Sequence, residues 1–181
     1  MVNENVNSVN IYTLQEISEE LFAGGDLPQE KFSKEKTERF SIPVFKNDSN
    51  ESIFGYTNQA RVSKECITIS ARGTLGAISF KNTPFFPAGR LIVLIPNNTI
   101  ALAKYLKFKI NKNMFVNGGA VIPQLTVPQI SNIEIQLPPL AVQKEILAKI
   151  EKIERKIDKY KLELEGFKNQ RDRVMENYLL G

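Results

Sequence analysis

The sequence predicts an α+β protein: a mixed, sheet-rich domain over residues 1–138, followed by one long C-terminal coiled-coil helix over residues 139–181. Two observations predict this class. From Ile146 onward, apolar residues recur at alternating steps of four and three, an average of about 3.5 residues that keeps an apolar seam facing a partner helix. Between Phe40 and Ile95, short extended segments occur instead, and some of them alternate apolar with polar residues, as half-buried strands do.

The predicted long helix carries its apolar seam over most of its length. Pro139 suits the first helical turn, because its fixed φ and its missing N–H are tolerated there. A helix of this length would span roughly 60 Å at about 1.5 Å per residue, which is more than the preceding domain can easily cover. We therefore expect the seam to pair with another helix. Its residues are Ile146, Ile150, Ile153, Ile157, Tyr160, Leu164, Phe167, Val174 and Tyr178, and only Arg171 interrupts the series.

A shorter helix is predicted near the N-terminus. Thr13-Leu-Gln-Glu16 fits a capping box, in which the Thr and Glu side chains each accept a hydrogen bond from the other residue's backbone N–H. Leu14, Ile17 and Leu21 would share one face of this helix. Gly24-Gly25 would end it, because glycine readily adopts the left-handed conformation found at helix ends.

The charged stretch 26–39 is expected to be a surface loop, and extended segments follow it. Residues 91–95 form an uninterrupted apolar run rich in β-branched residues, which predicts a central strand. The alternation of Ile133, Ile135 and Leu137 predicts a last strand ahead of the long helix. Strands are expected at 42–45, 53–56, 66–70, 77–80 and 90–95.

A second short helix is predicted between the strands. Asn98-Thr99 can cap a helix that runs from Ile100 to about Lys109, because Asn and Thr side chains accept hydrogen bonds from the first free N–H groups of a helix. Asn117-Gly118-Gly119 is expected to be a turn, and residues 127–130 a short connector.

The composition excludes several classes of function. The chain of 181 residues has no histidine, the usual acid/base at neutral pH, and a single cysteine, so neither a metal site nor a disulfide framework is expected. No Gly-x-x-x-x-Gly-Lys-Ser/Thr phosphate-binding loop occurs. The chain shows no signal peptide and no apolar run long enough to cross a membrane. We expect a cytoplasmic protein that binds no cofactor, carries no catalytic residues and does not associate with membranes.

The distribution of charge is more informative than the net charge of +4. Residues 1–60 contain 5 Lys and Arg against 10 Asp and Glu, whereas residues 61–133 contain nine basic residues against Glu65 alone. A basic block of this kind points to a polyanionic partner for one face of the protein. Scattered, solvated lysines would give the same count, so both interpretations stand on charge alone.

The loop Ser70-Ala-Arg-Gly-Thr-Leu-Gly76 lies between two predicted strands. Its glycines allow a tight turn and a close approach to a partner. Arg72 could pair with a phosphate or a guanine edge, and Thr74 could bond a phosphate or a base. The alternative is a β-hairpin turn with a solvated arginine.

A second polar cluster contains Lys112, Asn113 and Asn117. Asn can recognise adenine through paired hydrogen bonds, and Lys can neutralise a phosphate. Asn and Gly together are also common in ordinary turns, so the sequence leaves both interpretations open.

Three segments resemble a known protein family. They are Ile67-Thr-Ile-Ser-Ala-Arg-Gly-Thr-Leu-Gly76, Gly119-Ala-Val-Ile-Pro-Gln-Leu125 and Ile133-Glu-Ile-Gln-Leu-Pro-Pro-Leu-Ala-Val-Gln-Lys-Glu-Ile146. Together they resemble the specificity subunits of type I restriction–modification systems. The Leu-Pro-Pro-Leu-x-x-Gln motif that leads into the long helix is the most specific of these features. The resemblance covers nearly the whole chain.

The resemblance implies a non-catalytic subunit that reads double-stranded DNA. Such subunits usually contain two target-recognition domains and two long helices that pair antiparallel, and they carry modification and restriction subunits to a split DNA site. This chain has one domain and one helix, so it resembles a half-subunit or the specificity portion of a larger protein. If it is a natural half, its seam predicts a homodimer with antiparallel helices, and the two-fold symmetry predicts a palindromic bipartite site.

The resemblance and the charge pattern together suggest which residues contact DNA. Phosphates are expected to meet Arg61, Lys64, Arg72, Lys81 and Lys112, and base edges are expected to meet Arg72, Thr74, Asn113 and Asn117. The chemistry would come from methyltransferase and restriction subunits. The alternative function is a coiled-coil adaptor that binds another protein and no DNA.

Overall fold

Strands dominate the first part of the chain and helix the last part. This computed structural model describes residues 8–27, 29–46, 52–115 and 124–179, and the chain divides into two compact units, Met1–Gln143 and Lys144–Gly181. The described strands are β1 (Asn10–Thr13), β2 (Ser18–Ala23), β3 (Phe32–Ser33), β4 (Ile42–Phe45), β5 (Gly55–Thr57), β6 (Cys66–Ile69), β7 (Ile78–Lys81), β8 (Phe86–Pro87), β9 (Ile92–Pro96) and β10 (Glu134–Leu137). The described helices are α1 (Ala103–Lys109), α2 (Val127–Ser131) and α3 (Leu140–Leu179), with 3-10 turns at Gln29–Lys31 and Lys112–Phe115. The predicted α+β class, a sheet-rich domain followed by a long C-terminal helix, is confirmed.

The main sheet has four antiparallel strands in the order β2-β9-β6-β7. Every residue of β9 is buried, and β9 lies between β2 and β6, so the prediction of a central strand is confirmed. Every residue of β6 is buried as well. The core against this sheet contains a cluster formed by Val62, Cys66, Phe85, Val93 and Ile95, against which Phe22 and Phe45 pack.

A second sheet of four short strands has the order β3-β5-β4-β8. Its pairs are antiparallel except for β4 and β8, which run parallel with Val44 opposite Phe86. The rings of Phe45 and Phe85 meet edge to face at 5.7 Å between centroids, a favourable aromatic geometry. Phe45 belongs to this second sheet and packs on the core cluster of the main sheet, so the two sheets share one apolar core.

The two ends of the sheet-rich domain are paired with each other. β1 and β10 form a two-stranded antiparallel sheet in which Asn10 lies opposite Leu137 and Thr13 opposite Glu134. Ile135 and Leu137 are buried, whereas Glu134 and Gln136 are exposed, so the alternating pattern of the last strand is confirmed.

The predicted N-terminal helix is wrong, although its capping hydrogen bonds are present. The Thr13 N–H donates to Glu16 Oε2 at 2.6 Å, and the Glu16 N–H donates to Thr13 Oγ1 at 3.2 Å. The Thr13 hydroxyl also donates to Glu16 Oε2, at 2.9 Å, and the two hydrogen bonds that this carboxylate accepts, first the one from the Thr13 N–H, lower the pKa of Glu16. After this single turn the chain enters β2, whose backbone pairs with β9, and the turn residues Leu14 and Ile17 are completely buried. Tertiary pairing therefore overrides the local helical preference.

The helix α1 begins three residues later than predicted, and Asn98-Thr99 does not cap it. Asn97 Oδ1 accepts hydrogen bonds from the Thr99 N–H and hydroxyl, which holds a turn ahead of the helix. The Leu102 N–H at the start of α1 donates instead to Gln143 Oε1 at 3.1 Å. Gln143 Nε2 donates to the carbonyl oxygens of Ile100 and Pro138, both at 2.9 Å. The Gln of the Leu-Pro-Pro-Leu-x-x-Gln motif thus supplies the missing cap.

Residues 127–130 were expected to be a connector, but they form most of α2. Gln129 Oε1 accepts hydrogen bonds from the Thr126 N–H and hydroxyl, both at 2.8 Å, which satisfies donors at the start of this helix. Thr and Gln at this spacing form a capping box. The Thr126–Gln129 capping box is visible in the sequence, but the prediction did not include it.

The helix α3 starts at Leu140, directly after Pro138-Pro139, and continues to Leu179. Ile146 and Ile150 are half-buried. The remaining predicted seam residues are 46–85% exposed, and they are Ile153, Ile157, Tyr160, Leu164, Phe167, Val174 and Tyr178. Over the described residues, no helix is both long and apolar enough to cross a membrane.

Candidate nucleic-acid interface

The loop between β6 and β7 presents Arg72 and Thr74 to solvent. The Ser70 N–H donates to the Ala77 carbonyl at 2.9 Å, and the Gly76 N–H donates to the Ser70 carbonyl at 2.8 Å, so the base of the loop is closed by backbone hydrogen bonds. Gly73 and Gly76 both have positive φ, 70° and 74°. The loop is therefore a rigid hairpin connection with two polar side chains exposed at its tip.

The 3-10 turn Lys112–Phe115 packs against this loop. A Cβ atom on Gly76 would lie 2.9 Å from Phe115 Cδ2 and 3.2 Å from Lys112 Cα, so only glycine permits this contact. Phe115 is buried, whereas Lys112 and Asn113 are exposed. The structure thus brings the two polar clusters predicted from the sequence, those of Arg72 and Lys112, onto neighbouring segments.

A third segment, which carries Gln124, contacts the Arg72 loop. The Leu125 N–H donates to the Ala71 carbonyl at 3.0 Å, which ties this segment to the loop. Gln124 Oε1 accepts hydrogen bonds from Arg72 Nε at 2.8 Å and from Arg72 NH2 at 2.5 Å. It also accepts one from Arg90 NH1 at 3.1 Å. Two exposed guanidinium groups therefore converge on one amide oxygen.

Arg90 reaches this position from the turn 88–91. Arg90 and Gly89 both have positive φ, 66° and 62°, and the Leu91 N–H donates to the Ala88 carbonyl at 3.3 Å. The Arg90 N–H donates to the Gly24 carbonyl at 3.2 Å, which fixes the turn to the end of β2. Arg90 belongs to the basic block 61–133 but is not among the DNA contacts predicted from the sequence, because its position depends on this long-range pairing.

Two lysines extend the positive surface beyond Arg90. Lys46 passes close to the turn, since a Cβ atom on Gly89 would lie 3.6 Å from Lys46 Cδ. The Nζ atoms of Lys46 and Lys34 lie 3.4 and 3.7 Å from the centroid of the Phe54 ring, within the range of a cation–π contact. Neither lysine is among the contacts predicted from the sequence, because residues 1–60 are acidic in total.

The other predicted phosphate contacts lie elsewhere. Lys64 forms an ion pair with Glu19, and this hydrogen bond raises the pKa of Lys64. Lys81 is buried beneath the ring of Phe45, with its Nζ 3.9 Å from the ring centroid, and it lies opposite Cys66 at the far end of the hairpin from Arg72. The structure therefore places Lys64 beside Glu19 and Lys81 in the core, and it does not group either lysine with the Arg72 loop.

Arg61 is exposed, and its guanidinium lies over the ring of Phe22 at 4.5 Å. Arg61 Nη1 also lies 3.7 Å from where a Cβ atom on Gly25 would lie. The Gly25 carbonyl accepts a hydrogen bond from the N–H of Gly89, in the turn that carries Arg90. Asn117 lies outside the described residues. Among the predicted contacts, the structure thus groups Arg72, Thr74, Lys112 and Asn113.

The comparisons with known proteins agree with one another. The family model for the type I restriction modification DNA specificity domain matches residues 7–165. A protein of Mycoplasma pneumoniae named as type I specificity subunit S.MpnORF89P is 36% identical over 138 residues, which are 76% of this chain and 41% of the relative. A second one, S.MpnORF507P, is 30% identical over 142 residues, 78% of this chain and 39% of the relative. The chain thus spans about two fifths of the length of the relatives it matches.

Solved structures show the same fold. The S subunit of a type I restriction–modification system from M. genitalium superposes with a TM-score of 0.64 and 24% identity, over 92% of this chain and 44% of that one. The HsdS subunit from Thermoanaerobacter tengcongensis superposes with a TM-score of 0.60 and 17% identity, over 84% of this chain and 39% of that one. With the family model matching most of its length, the chain belongs to the family of type I restriction–modification DNA specificity domains.

Proposed function

We propose that this chain is a non-catalytic specificity component that reads one half of a bipartite double-stranded DNA site. The observation that carries the proposal is the group of exposed cations on neighbouring segments, Arg72, Arg90 and Lys112, in a chain that belongs to a DNA specificity family. Clustered Arg and Lys side chains neutralise DNA phosphates, and Arg can also read base edges in the major groove.

Within this proposal the individual residues have distinct roles. Arg61 and Lys112 contact phosphates, because their side chains are exposed. Arg72, Thr74 and Asn113 meet base edges from the exposed loops, and Asn117 is assigned the same role from the sequence. Lys64 and Lys81 keep the phosphate role assigned from the sequence, although Lys64 forms an exposed ion pair with Glu19 and Lys81 is buried.

The second part of the proposal concerns the helix. Residues 1–138 form the recognition domain, and residues 139–181 form a spacer helix that pairs antiparallel with the helix of a second copy. The exposed seam from Ile153 to Tyr178 supports this, because an apolar stripe at coiled-coil spacing is stabilised by a partner helix. Two domains related by two-fold symmetry would then read the halves of a palindromic site.

The chemistry lies outside this chain. We propose that the chain docks methyltransferase and restriction subunits, which modify or cut the DNA, and that it contributes no catalytic residues itself. The function would be exercised in the cytoplasm.

Salt-titrated binding to duplex DNA tests the recognition role. Contacts to about four phosphates per chain would make the logarithm of affinity fall with the logarithm of salt concentration with a slope of about −3 to −4, since each phosphate contributes about −0.9. Arg72→Ala should weaken binding by about 1–3 kcal/mol if the arginine pairs with a base edge. If the affinity of the unchanged protein for duplex DNA does not depend on salt concentration, DNA recognition is rejected and a coiled-coil protein adaptor is favoured.

Light scattering with seam variants tests the dimer. Ile153→Asp/Ile157→Asp places two charges on the seam and should convert a dimer into a monomer, because a buried unpaired carboxylate is strongly destabilising. Leu162→Asp is the matched control: Leu162 is 70% exposed and lies off the seam, so this variant should remain a dimer. A monomeric mass for the unchanged protein would reject the dimer.

A further inference from the structure

Three hydrogen bonds to one amide oxygen join two arginines from separate loops. Gln124 Oε1 accepts from Nε and NH2 of Arg72, at 2.8 and 2.5 Å, and from NH1 of Arg90, at 3.1 Å. Gln124 is in turn fixed beside the Arg72 loop, because the next residue, Leu125, donates its N–H to the Ala71 carbonyl. The three side chains form one connected unit, here named the arginine clamp.

The arginine clamp keeps both of its positive charges. An amide oxygen accepts hydrogen bonds but does not neutralise a guanidinium, and arginine stays protonated in proteins. Among the residues that the structure describes, no carboxylate forms an ion pair with Arg72 or Arg90. Two exposed like charges held close together repel each other, and an anionic partner would relieve that repulsion.

The backbone of Arg90 is held in an unfavourable conformation. Its φ of 66° lies in the left-handed region, which is costly for residues other than glycine, Asn and Asp. With Gly89 also at positive φ, the turn 88–91 has the backbone in which Asn and Gly are preferred at both central positions. A strained residue that places an exposed, charged side chain on a rigid turn indicates a functional role.

The donors that remain in the arginine clamp define its ligand. Arginine has five N–H donors and a glutamine amide has two, and the only side-chain acceptor, Gln124 Oε1, already receives three hydrogen bonds. The clamp therefore presents donors alone. The guanine edge in the major groove offers two adjacent acceptors, O6 and N7, and a DNA phosphate offers its free oxygens. Adenine and thymine each offer only one acceptor there, N7 and O4, and the adenine and cytosine edges also present amino donors that the clamp cannot accept.

We infer that Arg72, Gln124 and Arg90 form a donor-only clamp for an acceptor-rich group of duplex DNA, a guanine edge or a phosphate, with Gln124 as the positioning residue that holds both guanidinium groups in place. This inference rests on the proposed function, that the chain binds double-stranded DNA. It adds Arg90 and Gln124 to the site and gives Arg72 a fixed orientation before DNA arrives.

Binding measurements on the full chain test the clamp. The preferred duplex is first selected from a randomised library with the unchanged protein, and binding of variants is then followed by fluorescence anisotropy. Arg90→Ala should weaken binding to the selected duplex by about 5- to 150-fold. Arg173→Ala, the same change at an exposed position on α3, is the control and should bind like the unchanged protein. The effect of Arg90→Ala should shrink when Gln124→Ala is already present, because coupled residues are not additive.

Two arms of the experiment separate the sources of the acceptor. If the clamp holds a guanine, the loss is confined to duplexes with guanine at one position, Arg90→Lys does not restore binding, and 7-deazaguanine at that position weakens the unchanged protein. If it holds a phosphate, the loss is equal for all duplexes, Arg90→Lys restores most of the binding, and the salt slope falls by about 1 for each arginine removed. Either result supports the clamp.

Arg90→Gly separates binding from folding. Glycine adopts positive φ without strain, which offsets its greater loss of chain entropy, so the melting temperature of this variant should stay at or above that of the unchanged protein while its affinity falls. If Arg90→Gly and Gln124→Ala bind the selected duplex as tightly as Arg173→Ala, and the unchanged protein still shows a steep salt slope, the clamp is rejected and DNA recognition stands. If the unchanged protein shows neither salt dependence nor sequence preference, both fail together.

Discussion

Replacing Gln143 with methionine should destabilise the sheet-rich unit strongly. Gln143 is fully buried at 0% exposure, and its side chain bonds three backbone groups, the Leu102 N–H and the carbonyl oxygens of Ile100 and Pro138. Methionine has a similar length and volume and fills the same space, so the variant removes the hydrogen bonds without opening a cavity.

The expected loss follows from those three bonds. Each contributes about 1 kcal/mol net, and a buried backbone group left without a partner costs about 1–3 kcal/mol. Part of this loss is returned by the apolar methionine side chain, so we expect a destabilisation of about 3 kcal/mol. At about 2–4 °C for each kcal/mol in a chain of this size, the melting temperature should fall by about 6–12 °C. With a slope of about 2 kcal/mol per molar urea, the midpoint should fall by about 1.5 M.

Tyrosine fluorescence suits the measurement, because the chain has no tryptophan and Tyr105 is buried in α1, close in sequence to the bonded residues. Gln136→Met is the matched control: Gln136 is exposed on β10, and the same chemical change there should alter stability by no more than about 0.5 kcal/mol. Hydrogen exchange gives the local readout, since the Leu102 amide should lose its protection in Gln143→Met. Equal midpoints for the two variants, with the Leu102 amide still protected, would refute this reasoning.

Two further predictions concern close packing and burial. Gly24→Ala should destabilise the protein by about 1–3 kcal/mol, because the new Cβ would lie 2.6 Å from the Pro87 carbonyl oxygen. Gly25→Ala is the control, since its Cβ would meet only Arg61 Nη1, at 3.7 Å. Equal melting temperatures for the two variants would contradict the close packing of Gly24 against Pro87. Burial raises the pKa of Cys66 from 9.0 to about 12, so the folded protein at pH 8 should hold about a thousandfold less thiolate than an exposed cysteine would and should resist a disulfide reagent until it unfolds. Because the raised pKa favours the protonated thiol, stability should be lost as pH rises from about 9 towards 12, and rapid labelling of the native protein at pH 8 would contradict this.

The fold was predictable where the apolar pattern of a segment matches the burial of its residues in the structure. The strand Ile42–Phe45 was predicted with its observed limits, and the run that becomes β9 is as buried as its composition requires. The start of α3 after Pro138-Pro139 follows from proline chemistry. The failures occur where a distant partner decides the outcome. The Thr13–Glu16 capping box forms, yet the pairing of β2 with β9 ends the helix after one turn.

The candidate site was predictable only in part, for the same physical reason. Arg72 and Lys112 were chosen from their glycine- and asparagine-rich surroundings, and the structure places their segments in contact through Gly76. Arg90 was not chosen, because its position depends on hydrogen bonds between its turn and Gly24, which lies far away in sequence. Lys81 was chosen for its charge, but its strand carries it into the core. Charge can be counted from a sequence, whereas the face on which a charge appears depends on strand pairing.

The pairing of β1 with β10 has a consequence for biosynthesis. About 120 residues separate Thr13 from its partner Glu134, so at a translation rate of about 5–20 residues per second the first strand waits roughly 6–24 seconds before its partner exists. During that interval the Leu14 N–H, which donates to the Ile133 carbonyl at 3.0 Å in the finished molecule, has no such partner either. A ribosome that stalls before Leu137 would therefore leave the edge of β1 unpaired and available to chaperones or to aggregation.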